Sequence, residues 1–328
     1  MRKVFISKNY KDRYTASSKA KIDVEITLRR LGFKNIGLPT RYIQSKFTGR
    51  IWSVLSNFIA FLRMPKNSLV FLQYPVNLIE KEIAIAKKRN NKVYLLVHDI
   101  IGLRENTHLN LGIFESVDVL IVHNDAMKKW LEKHIKHSTI RTLGIFDYIG
   151  QPISHRETLL SSKPKVVFAG NLSKAAFIDN LNFDNIELQL FGIGFEKRKL
   201  NKGVEYCGFF SPNELAEHIN SDFGLVWDGD SIDTCSGSYG EYLKIISPHK
   251  LSMYLSLGMP VIVWTQSAMA DFVEKNGVGL VIDDLRSLES KVKALSQEDY
   301  TFLKANAEAI SEKLLNGYFL EKSLSNID

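Results

Sequence analysis

The chain has 328 residues, of which 45% are hydrophobic and 24% are charged, with 8 Pro and 20 Gly. This length predicts two domains, and the composition is that of an ordinary globular protein, which excludes disordered, collagen-like and coiled-coil chains. The net charge of +7 is uneven, because the first 150 residues hold 26 Lys and Arg against 12 Asp and Glu and the remainder has a net charge of −7. A basic first half suits an anionic partner such as a membrane surface, a phosphate-bearing acceptor or nucleic acid, although chance and solubility explain it equally well.

Targeting and cysteine signals point to the cytosol. The best apolar candidate, 51–62, is shorter than the roughly 18 residues that a membrane span needs. The basic N-terminus is interrupted by a lysine before it reaches signal-peptide length. Cys207 and Cys235 form no C-x-x-C pair and cannot supply a metal cage or a disulfide framework. We therefore expect a cytosolic protein with reduced thiols.

Strand-like runs alternate with amphipathic helical patterns along the whole chain, which predicts parallel sheets covered by helices. In the first half the strand-like runs are 3–7, 34–38, 69–74, 93–98, 117–123 and 140–146, and the helix-like stretches are 18–31, 46–63, 78–90 and 125–137. Asp125 is the expected N-cap of the last of these helices. In the second half the strand-like runs are 165–169, 186–191, 204–206, 223–227, 260–264 and 279–282. A final helix begins with a capping-box pattern at 296–299.

The pattern predicts an α/β protein of two Rossmann-like domains facing each other across a cleft. Residues 1–150 form the first domain and 151–315 the second, joined by a polar linker at 150–164, and a C-terminal helix at 316–328 returns to the first domain. A ligand is expected at the C-terminal ends of the strands, where the strand order reverses. P-loop, zincin, α/β-hydrolase and kinase motifs are absent, and the glycine pair Gly192 and Gly194 lacks the third glycine of a dinucleotide fingerprint.

The first candidate site is the pair His98 and Asp99, which closes a buried-looking strand. A carboxylate held at a cleft is a reasonable general base. The alternative is a capped strand end with a satisfied histidine. We favour the catalytic interpretation because the pair lies at the strand end that the strand-order rule selects.

Two further strand ends have features of phosphate sites. The turn at Gly170 and Asn171 precedes a helix start, where backbone N–H groups and Lys174 suit a phosphate, although a plain βα turn looks the same. His249 and Lys250 open another helix, and a cation in the first turn opposes the helix dipole. A bound diphosphate would offset this cost, whereas the alternative is a solvated lysine on an exposed turn.

A fourth strand end carries Asp228 and Asp230, followed by a Gly/Ser-rich loop with Ser236 and Tyr239. The two acids suit either a divalent metal that holds a nucleotide diphosphate or an ordinary Asp-Gly turn. The loop hydroxyls suit a sugar.

These motifs carry a family resemblance. The stretches that carry it are FAGNLS at 168–173, FGLVWDGDS at 223–231, TCSG at 234–237, YLK at 242–244, PHK at 248–250 and ADF at 270–272, with VHDI at 97–100, VHN at 122–124 and IFDY at 145–148. They resemble the bacterial β-1,6-galactofuranosyltransferases of O-antigen, capsule and exopolysaccharide assembly. A more distant similarity is to the streptococcal glucosyltransferases that extend N-acetylglucosamine on adhesins. The resemblance covers most of the chain and is weakest over the first 90 residues.

The resemblance implies a GT-B fold, with the acceptor on the first domain, the nucleotide sugar on the second, and no cofactor or metal. It implies transfer of galactofuranose from UDP-galactofuranose to a sugar hydroxyl, expected to be the 6-OH of a hexose on a lipid-linked polysaccharide intermediate. The implied donor-site residues are Gly170, Asn171, Lys174, Gly192, Phe210, Asp228, Asp230, Ser236, Tyr239, His249 and Lys250. Lys174 stands where the relatives have arginine and so lacks a bidentate phosphate contact.

The expected mechanism is inversion, because the glutamate of the retaining pattern is replaced by His249 and Lys250. We assign Asp99 as the base that deprotonates the acceptor, with His98 as the alternative. Lys250, His249 and the Gly170-Asn171 turn would stabilise the departing UDP. The resemblance also turns Asp228 and Asp230 from metal ligands into acids that bind sugar hydroxyls.

The helix at 46–63 raises the question of a membrane. Its apolar residues are Ile51, Trp52, Leu55, Phe58, Ile59 and Leu62, flanked by Arg41, Lys46, Arg50, Arg63 and Lys66. This pattern is typical of a helix on an anionic membrane surface, which would place the protein peripherally at the inner face of the cell membrane. A core-facing helix is slightly favoured, since half of the apolar residues are needed to cover the sheet.

Other functions stay open. They are a UDP-glucose-dependent glucosyltransferase of adhesin glycosylation, a UDP-sugar epimerase of similar fold and a non-catalytic UDP-binding partner subunit. No RNP, helix-turn-helix or zinc-finger pattern supports a nucleic-acid partner. A homo-oligomer is compatible with the sequence.

Overall fold

The computed structural model describes residues 1–8, 16–40, 43, 45–136, 139–150, 159–195 and 199–325. The chain forms two compact units. Unit 1 comprises Met1–Asp147 and Gly317–Asp328, and unit 2 comprises Tyr148–Asn316. Of the linker predicted at 150–164, residues 151–158 lie outside the described part of the chain.

Each unit contains a six-stranded parallel sheet. In unit 1 the strands are β1 (Lys3–Phe5), β2 (Lys34–Asn35), β3 (Leu69–Tyr74), β4 (Lys92–Val97), β5 (Val119–Val122) and β6 (Ile140–Thr142). In unit 2 they are β7 (Lys165–Ala169), β8 (Glu187–Phe191), β9 (Val204–Gly208), β10 (Phe223–Val226), β11 (Val261–Trp264) and β12 (Gly279–Ile282). Each predicted strand run coincides with one of these strands, although several runs were predicted to extend past the strand end.

Helices connect the strands. In unit 1 the first six are α1 (Ala16–Arg30), α2 (Lys46–Arg63), α3 (Ile79–Lys88), α4 (Ile101–Arg104), α5 (Gly112–Glu115) and α6 (Asp125–Glu132). In unit 2 they are α7 (Pro212–His218), α8 (Gly237–Leu243), α9 (His249–Ser256), α10 (Ala270–Asn276), α11 (Leu288–Lys293) and α12 (Gln297–Asn316), with 3-10 turns at Leu172–Lys174 and Ala176–Asn180. Helix α13 (Tyr318–Leu324) belongs to unit 1.

Strand order determines where a ligand is expected in each unit. The order is β2-β1-β3-β4-β5-β6 in unit 1 and β12-β11-β10-β7-β8-β9 in unit 2. The order therefore reverses between β1 and β3 in unit 1 and between β7 and β10 in unit 2, and crevices at such switch points hold ligands in open parallel sheets. The expectation that His98 and Asp99 follow the strand at the switch point is wrong, because β4 lies one strand away from it.

The central strands are buried on both faces. Val93 to Val97 in β4 are fully buried, and this continuous apolar run is typical of a parallel strand that is covered by helices on both sides. In unit 2 the two buried tryptophans Trp227 and Trp264 pack edge to face with ring centroids 6.4 Å apart. Each sheet is thus a rigid platform whose C-terminal edge presents the loops.

Helix α13 completes the core of unit 1. Leu320 and Leu324 lie in the same buried cluster as Phe5, Leu28 and Phe71. The N–H groups of Phe319 and Leu320 donate to the two carboxylate oxygens of Asp147 at 3.0 and 2.8 Å. These bonds satisfy backbone donors that a helix start leaves without an intrahelical partner.

Three local predictions differ from the structure, and one is confirmed. Asn124, not Asp125, caps α6, because its side chain accepts the N–H of Met127 at 3.0 Å. The helix expected after Gly170 and Asn171 is only a three-residue 3-10 turn. The apolar residues of α2 face mostly outward rather than towards the sheet. The capping box at 296–299 is present, since Ser296 and Asp299 exchange side chain to backbone hydrogen bonds.

Candidate active site

Two turns at the C-terminal edge of the unit 2 sheet pack directly against each other. The N–H of Gly170 donates to the carbonyl of Phe191 at 3.0 Å, and that of Leu172 to the carbonyl of Ile193 at 2.8 Å. Gly192 has φ +141°, and a Cβ there would collide with the carbonyl oxygen of Gly170. Glycine is therefore required for this close approach of two backbones.

Asn171 shapes the first of these turns. Its side-chain oxygen accepts the N–H of Ser173 at 3.1 Å and the hydroxyl of Ser173 at 2.7 Å. The turn is short and exposed, so the phosphate affinity expected of a helix N-terminus is reduced to that of individual N–H groups. The sequence located the turn correctly but overestimated its helix.

Lys250 lies at the switch point of unit 2. Its ammonium group donates to the carbonyl of Trp227 at 3.1 Å and to the carboxylate of Asp228 at 2.9 Å. It also lies 4.6 Å from the ring centroid of Phe168, in β7. The side chain is only 15% exposed, so the alternative of a solvated lysine on an exposed turn is wrong. These contacts offset the unfavourable position of a cation in the first turn of α9.

The loop after β10 is folded back on itself. The N–H of Asp230 donates to the hydroxyl of Ser236 at 3.2 Å. Gly229, between the two acids, has φ +111°, and a Cβ there would collide with the backbone of Ser236. Asp228 and Asp230 thus stand on either side of Gly229, whose backbone conformation only a glycine adopts without strain.

Lys174 and Tyr239 form a second cationic contact. The Lys174 ammonium donates to the Tyr239 hydroxyl at 2.5 Å and lies 4.4 Å from the ring centroid. The neutral phenol keeps the lysine in place without cancelling its charge. Lys174 and Lys250 therefore both face groups at the C-terminal edge of the unit 2 sheet.

Phe210 and His249 occupy flanking positions. The Phe210 ring stacks on His218 with centroids 3.6 Å apart and lies 6.1 Å from Phe191. His249, the first residue of α9, lies 6.0 Å from the ring of Tyr148. Phe210 lies just after β9, and one face of its ring is already occupied by a histidine.

The sequence analysis missed Tyr254. Its buried hydroxyl accepts the N–H of Ala169 at 2.8 Å, the last residue of β7. Burial raises the pKa of this phenol above its ordinary value. Gly224 makes room for it, because a Cβ there would collide with the Tyr254 ring. An aromatic residue in the apolar stretch of α9 gave no signal that distinguishes it from core.

In unit 1 the orientation of His98 can be derived from its neighbours. The amide nitrogen of Gln73 donates to the carbonyl of Lys21 at 3.3 Å, which leaves the amide oxygen facing His98 Nε2 at 2.7 Å. Nε2 must then donate, so in the neutral imidazole the lone pair is on Nδ1. The ring stacks on Phe146 with centroids 5.1 Å apart.

Asp99 forms an ion pair with Arg104, five residues further on, and Arg104 also contacts Glu105 at 2.7 Å. Both members of the first pair are largely buried. Lys21 donates to the carbonyl of Pro75 at 2.7 Å, and burial lowers its pKa to about 8, against the opposing charge of Asp99. The sequence analysis named neither Arg104 nor Lys21.

The switch point of unit 1 holds buried charges that the sequence analysis also missed. Ser7 follows β1 and donates its hydroxyl to Glu25 at 2.6 Å. Lys8 forms an ion pair with the buried Glu82 and donates to Asn57 at 2.9 Å. Burial raises the pKa of both glutamates. Their partners come from distant parts of the chain, so no local motif marks them.

Two features are absent from the described residues. No group of three or more His, Cys, Asp or Glu side chains there is placed to hold a metal ion. Within the same residues, no helix combines the length and the apolar character that crossing a membrane requires.

Comparison with protein families gives two matches that together span nearly the whole chain. The N-terminal domain of the Glucosyltransferase 3-like family matches residues 3–145, and its C-terminal domain matches residues 166–327. The chain belongs to the Glucosyltransferase 3-like family. It is a glycosyltransferase, and its two parallel six-stranded sheets are those of the GT-B fold.

Individual relatives agree with this assignment. The chain is 34% identical over 242 residues to the β-1,6-galactofuranosyltransferase WbbI of Escherichia coli, covering 72% of this chain and 71% of WbbI. It is 24% identical over 307 residues to Glucosyltransferase 3 of Streptococcus parasanguinis, covering 90% and 88% of the two chains. Among solved structures, Anabaena HepE in complex with UDP aligns over 99% of this chain and 98% of its own, with a TM-score of 0.60 and 12% identity.

Proposed function

We propose that the protein transfers galactofuranose from UDP-galactofuranose to a hydroxyl of a glycan acceptor, without a metal and with inversion at the anomeric carbon. The observation that carries the proposal is the 34% identity to WbbI, which is named as a β-1,6-galactofuranosyltransferase. The acceptor we propose is a hexose 6-OH on a lipid-linked polysaccharide intermediate, in keeping with the 1,6 linkage in that name.

The donor diphosphate is proposed to bind at the C-terminal edge of the unit 2 sheet. Lys250 uses two of its three N–H donors on Trp227 and Asp228, and one remains for a phosphate oxygen. The exposed turn at Gly170 and Asn171 is proposed to lie beside the diphosphate, although the N–H groups of Gly170, Leu172 and Ser173 already donate within the protein. Lys174, His249 and Phe210 complete the proposed contacts to UDP. HepE shares this fold and was solved in complex with UDP, which supports a nucleotide site in this architecture.

The sugar is proposed to contact the loop after β10. The carboxylate of Asp228 is held by Lys250, and the backbone N–H of Asp230 donates to the Ser236 hydroxyl. Carboxylates and hydroxyls at fixed positions suit a polyhydroxylated ring, since each accepts or donates hydrogen bonds.

The proposed chemistry is a single displacement. Asp99 takes the proton of the acceptor hydroxyl while that oxygen bonds to the anomeric carbon and the carbon–oxygen bond to UDP breaks. The leaving diphosphate carries the negative charge, which Lys250 stabilises. The guanidinium of Arg104 pairs with Asp99 and holds its carboxylate after the end of β4. His98 is the alternative base, because its Nδ1 carries the lone pair.

A second candidate is glucosyl transfer from UDP-glucose. It is favoured by the family match and by the longer, weaker similarity to the streptococcal glucosyltransferase. The two candidates share the nucleotide site and differ only in the sugar.

The test is UDP release from UDP-galactofuranose, UDP-galactopyranose and UDP-glucose, each with and without a glucoside or N-acetylglucosamine acceptor, in EDTA. Acceptor-dependent release from the furanose donor alone supports the proposal. Release only from UDP-glucose replaces it with the second candidate, and release that requires added metal contradicts the metal-independent mechanism.

A further inference from the structure

Helix α2 is amphipathic, but its apolar face is exposed and its small or polar face is buried. Its large apolar side chains Phe47, Ile51, Val54, Leu55, Phe58 and Leu62 are all exposed, with Phe47 at 74% and Leu62 at 64%. With 3.6 residues per turn, these six positions fall within one stripe of about 100°. We call these six residues the α2 stripe.

The opposite face of α2 is small or polar, and it is the face that packs on unit 1. Ala60, Ser56 and Asn57 are buried there. The Ser56 hydroxyl accepts the N–H of Leu38 at 3.1 Å, and the Asn57 side chain accepts from Lys8 at 2.9 Å. These specific bonds fix the rotation of the helix, so the α2 stripe cannot turn inward without breaking them.

The charges on α2 and in the adjoining sequence have one sign. Between Glu25 and Glu80 the sequence has eight Lys or Arg residues and no Asp or Glu. Of these, Arg50, Arg63 and Lys66 are described as exposed on or just after α2. Arg41 and the side chain of Lys46 lie outside the described part of the structure.

We propose that the α2 stripe is a docking surface for an anionic lipid bilayer. A helix with an apolar face and flanking cations lies in the plane of the membrane interface, with its apolar side chains among the acyl chains and its cations near the headgroups. A contiguous apolar surface of this kind marks an interaction site rather than random exposure.

Charge distinguishes this occupant from a second copy of the chain. A twofold contact through the α2 stripe would place the same surface of each copy against the other, and would bring the cations of α2 from both copies close together. An anionic bilayer complements that charge instead. Unit 1 would then hold the protein at the membrane surface. This role goes beyond the transfer reaction proposed above and does not depend on it.

The test is flotation of the full chain with vesicles of phosphatidylcholine alone and with about 30% phosphatidylglycerol, at salt near 0.1 M and 0.5 M. We expect binding to the anionic vesicles and weaker binding at high salt. The variant Ile51→Ser/Phe58→Ser/Leu62→Ser and the variant Arg50→Gln/Arg63→Gln/Lys66→Gln should each lower the partition coefficient at least about tenfold.

The matched control is Phe302→Ser, which removes a phenylalanine that is 63% exposed on α12 of unit 2. It should bind vesicles like the unchanged protein, and thermal unfolding should show that all variants remain folded. Equal flotation of the stripe variant and the unchanged protein would overturn the proposal. So would a dimer in light scattering that the stripe variant dissociates while neither protein binds vesicles.

Discussion

The C-terminal edges of the two sheets are built from different materials. In unit 2 the edge consists of glycine turns, the lysines Lys174 and Lys250, and the acids Asp228 and Asp230, of which Asp228 pairs with Lys250. In unit 1 it consists of largely buried charged side chains in pairs, such as Asp99 with Arg104 and Lys8 with Glu82. The same architecture therefore presents glycine turns with charged loop side chains in one unit, and in the other buried groups such as Glu25 and Glu82, whose pKa values burial raises.

This difference suits different tasks. A diphosphate is bound well by N–H groups and by cations that are not fully neutralised. Proton transfer needs a titratable group whose environment sets its protonation, and burial provides this control. If the comparison is correct, variants at the edge of unit 1 change turnover and variants at the edge of unit 2 change nucleotide affinity.

The largest effect is expected from Asp99→Asn. Loss of the proposed base should lower kcat by about 10²–10⁴, while the Kd for UDP stays unchanged. Steady-state kinetics with the active donor and calorimetry with UDP measure the two quantities. Glu105→Gln is the matched control, since it removes the other carboxylate that Arg104 contacts. A greater fall in kcat for His98→Gln than for Asp99→Asn would transfer the role to the histidine.

The next effect concerns Lys250→Ala. It removes the cation at the switch point of unit 2 and leaves Asp228 without its partner, so the Kd for UDP should rise about 10- to 100-fold. Calorimetric titration with UDP measures the change. Lys275→Ala, at a lysine that is highly exposed on α10, should leave the Kd unchanged. Unaltered UDP affinity in Lys250→Ala would remove this lysine from the donor site.

A third prediction concerns the stability of unit 1. Burial, with smaller contributions from Asp23 and Glu321, raises the pKa of Asp147 from 3.8 to about 7, although two N–H donors oppose the shift. The folded state thus binds this proton more tightly than the unfolded state. The contribution of Asp147 to the free energy of unfolding should therefore fall as the pH rises from about 4 to about 7, by roughly 4 kcal/mol.

Urea unfolding at several pH values checks this, with Asp147→Asn as the comparison. The variant cannot ionise at this position, so its stability should lack this part of the pH dependence. Identical profiles for the two proteins would show that Asp147 does not titrate between these limits.

The smallest effect is expected at Lys174, an exposed lysine held by Tyr239. Lys174→Gln should weaken UDP binding about threefold, and Lys174→Arg should tighten it about two- to threefold through a bidentate contact. Tyr239→Phe, which keeps the ring but not the hydroxyl, should change the Kd by less than about twofold. Weaker binding by the arginine variant would contradict a phosphate contact at this position.

Most of the architecture could be predicted from the sequence because parallel strands are marked by local apolar runs. The run from Val93 to Val97 identifies β4 without knowledge of its neighbours. Strand order depends on non-local pairing, and for this reason the switch point of unit 1 was assigned to the wrong strand.

The residues of the candidate site also differ in whether a local sequence pattern marks them. Local patterns mark Gly170 and Gly192, which directly follow strand-like runs, and Lys250, which follows a proline at a helix start. Tyr254 cannot be distinguished from a core residue by its sequence context. Glu82 and its partner Lys8 are 74 residues apart in the sequence, so no local pattern marks the pair. The outward rotation of α2 was also missed, since the helical period defines an apolar face but does not say which face packs against the domain.

Helix α13 has a consequence for how the protein is made. Its leucines lie in the core of unit 1, yet the ribosome synthesises them after every residue of unit 2. Domains generally fold as they emerge during translation, earlier ones first. In this protein unit 1 is completed last, because its final helix α13 is synthesised after all of unit 2. Until then, the surface that Leu320 and Leu324 later cover is open to chaperones.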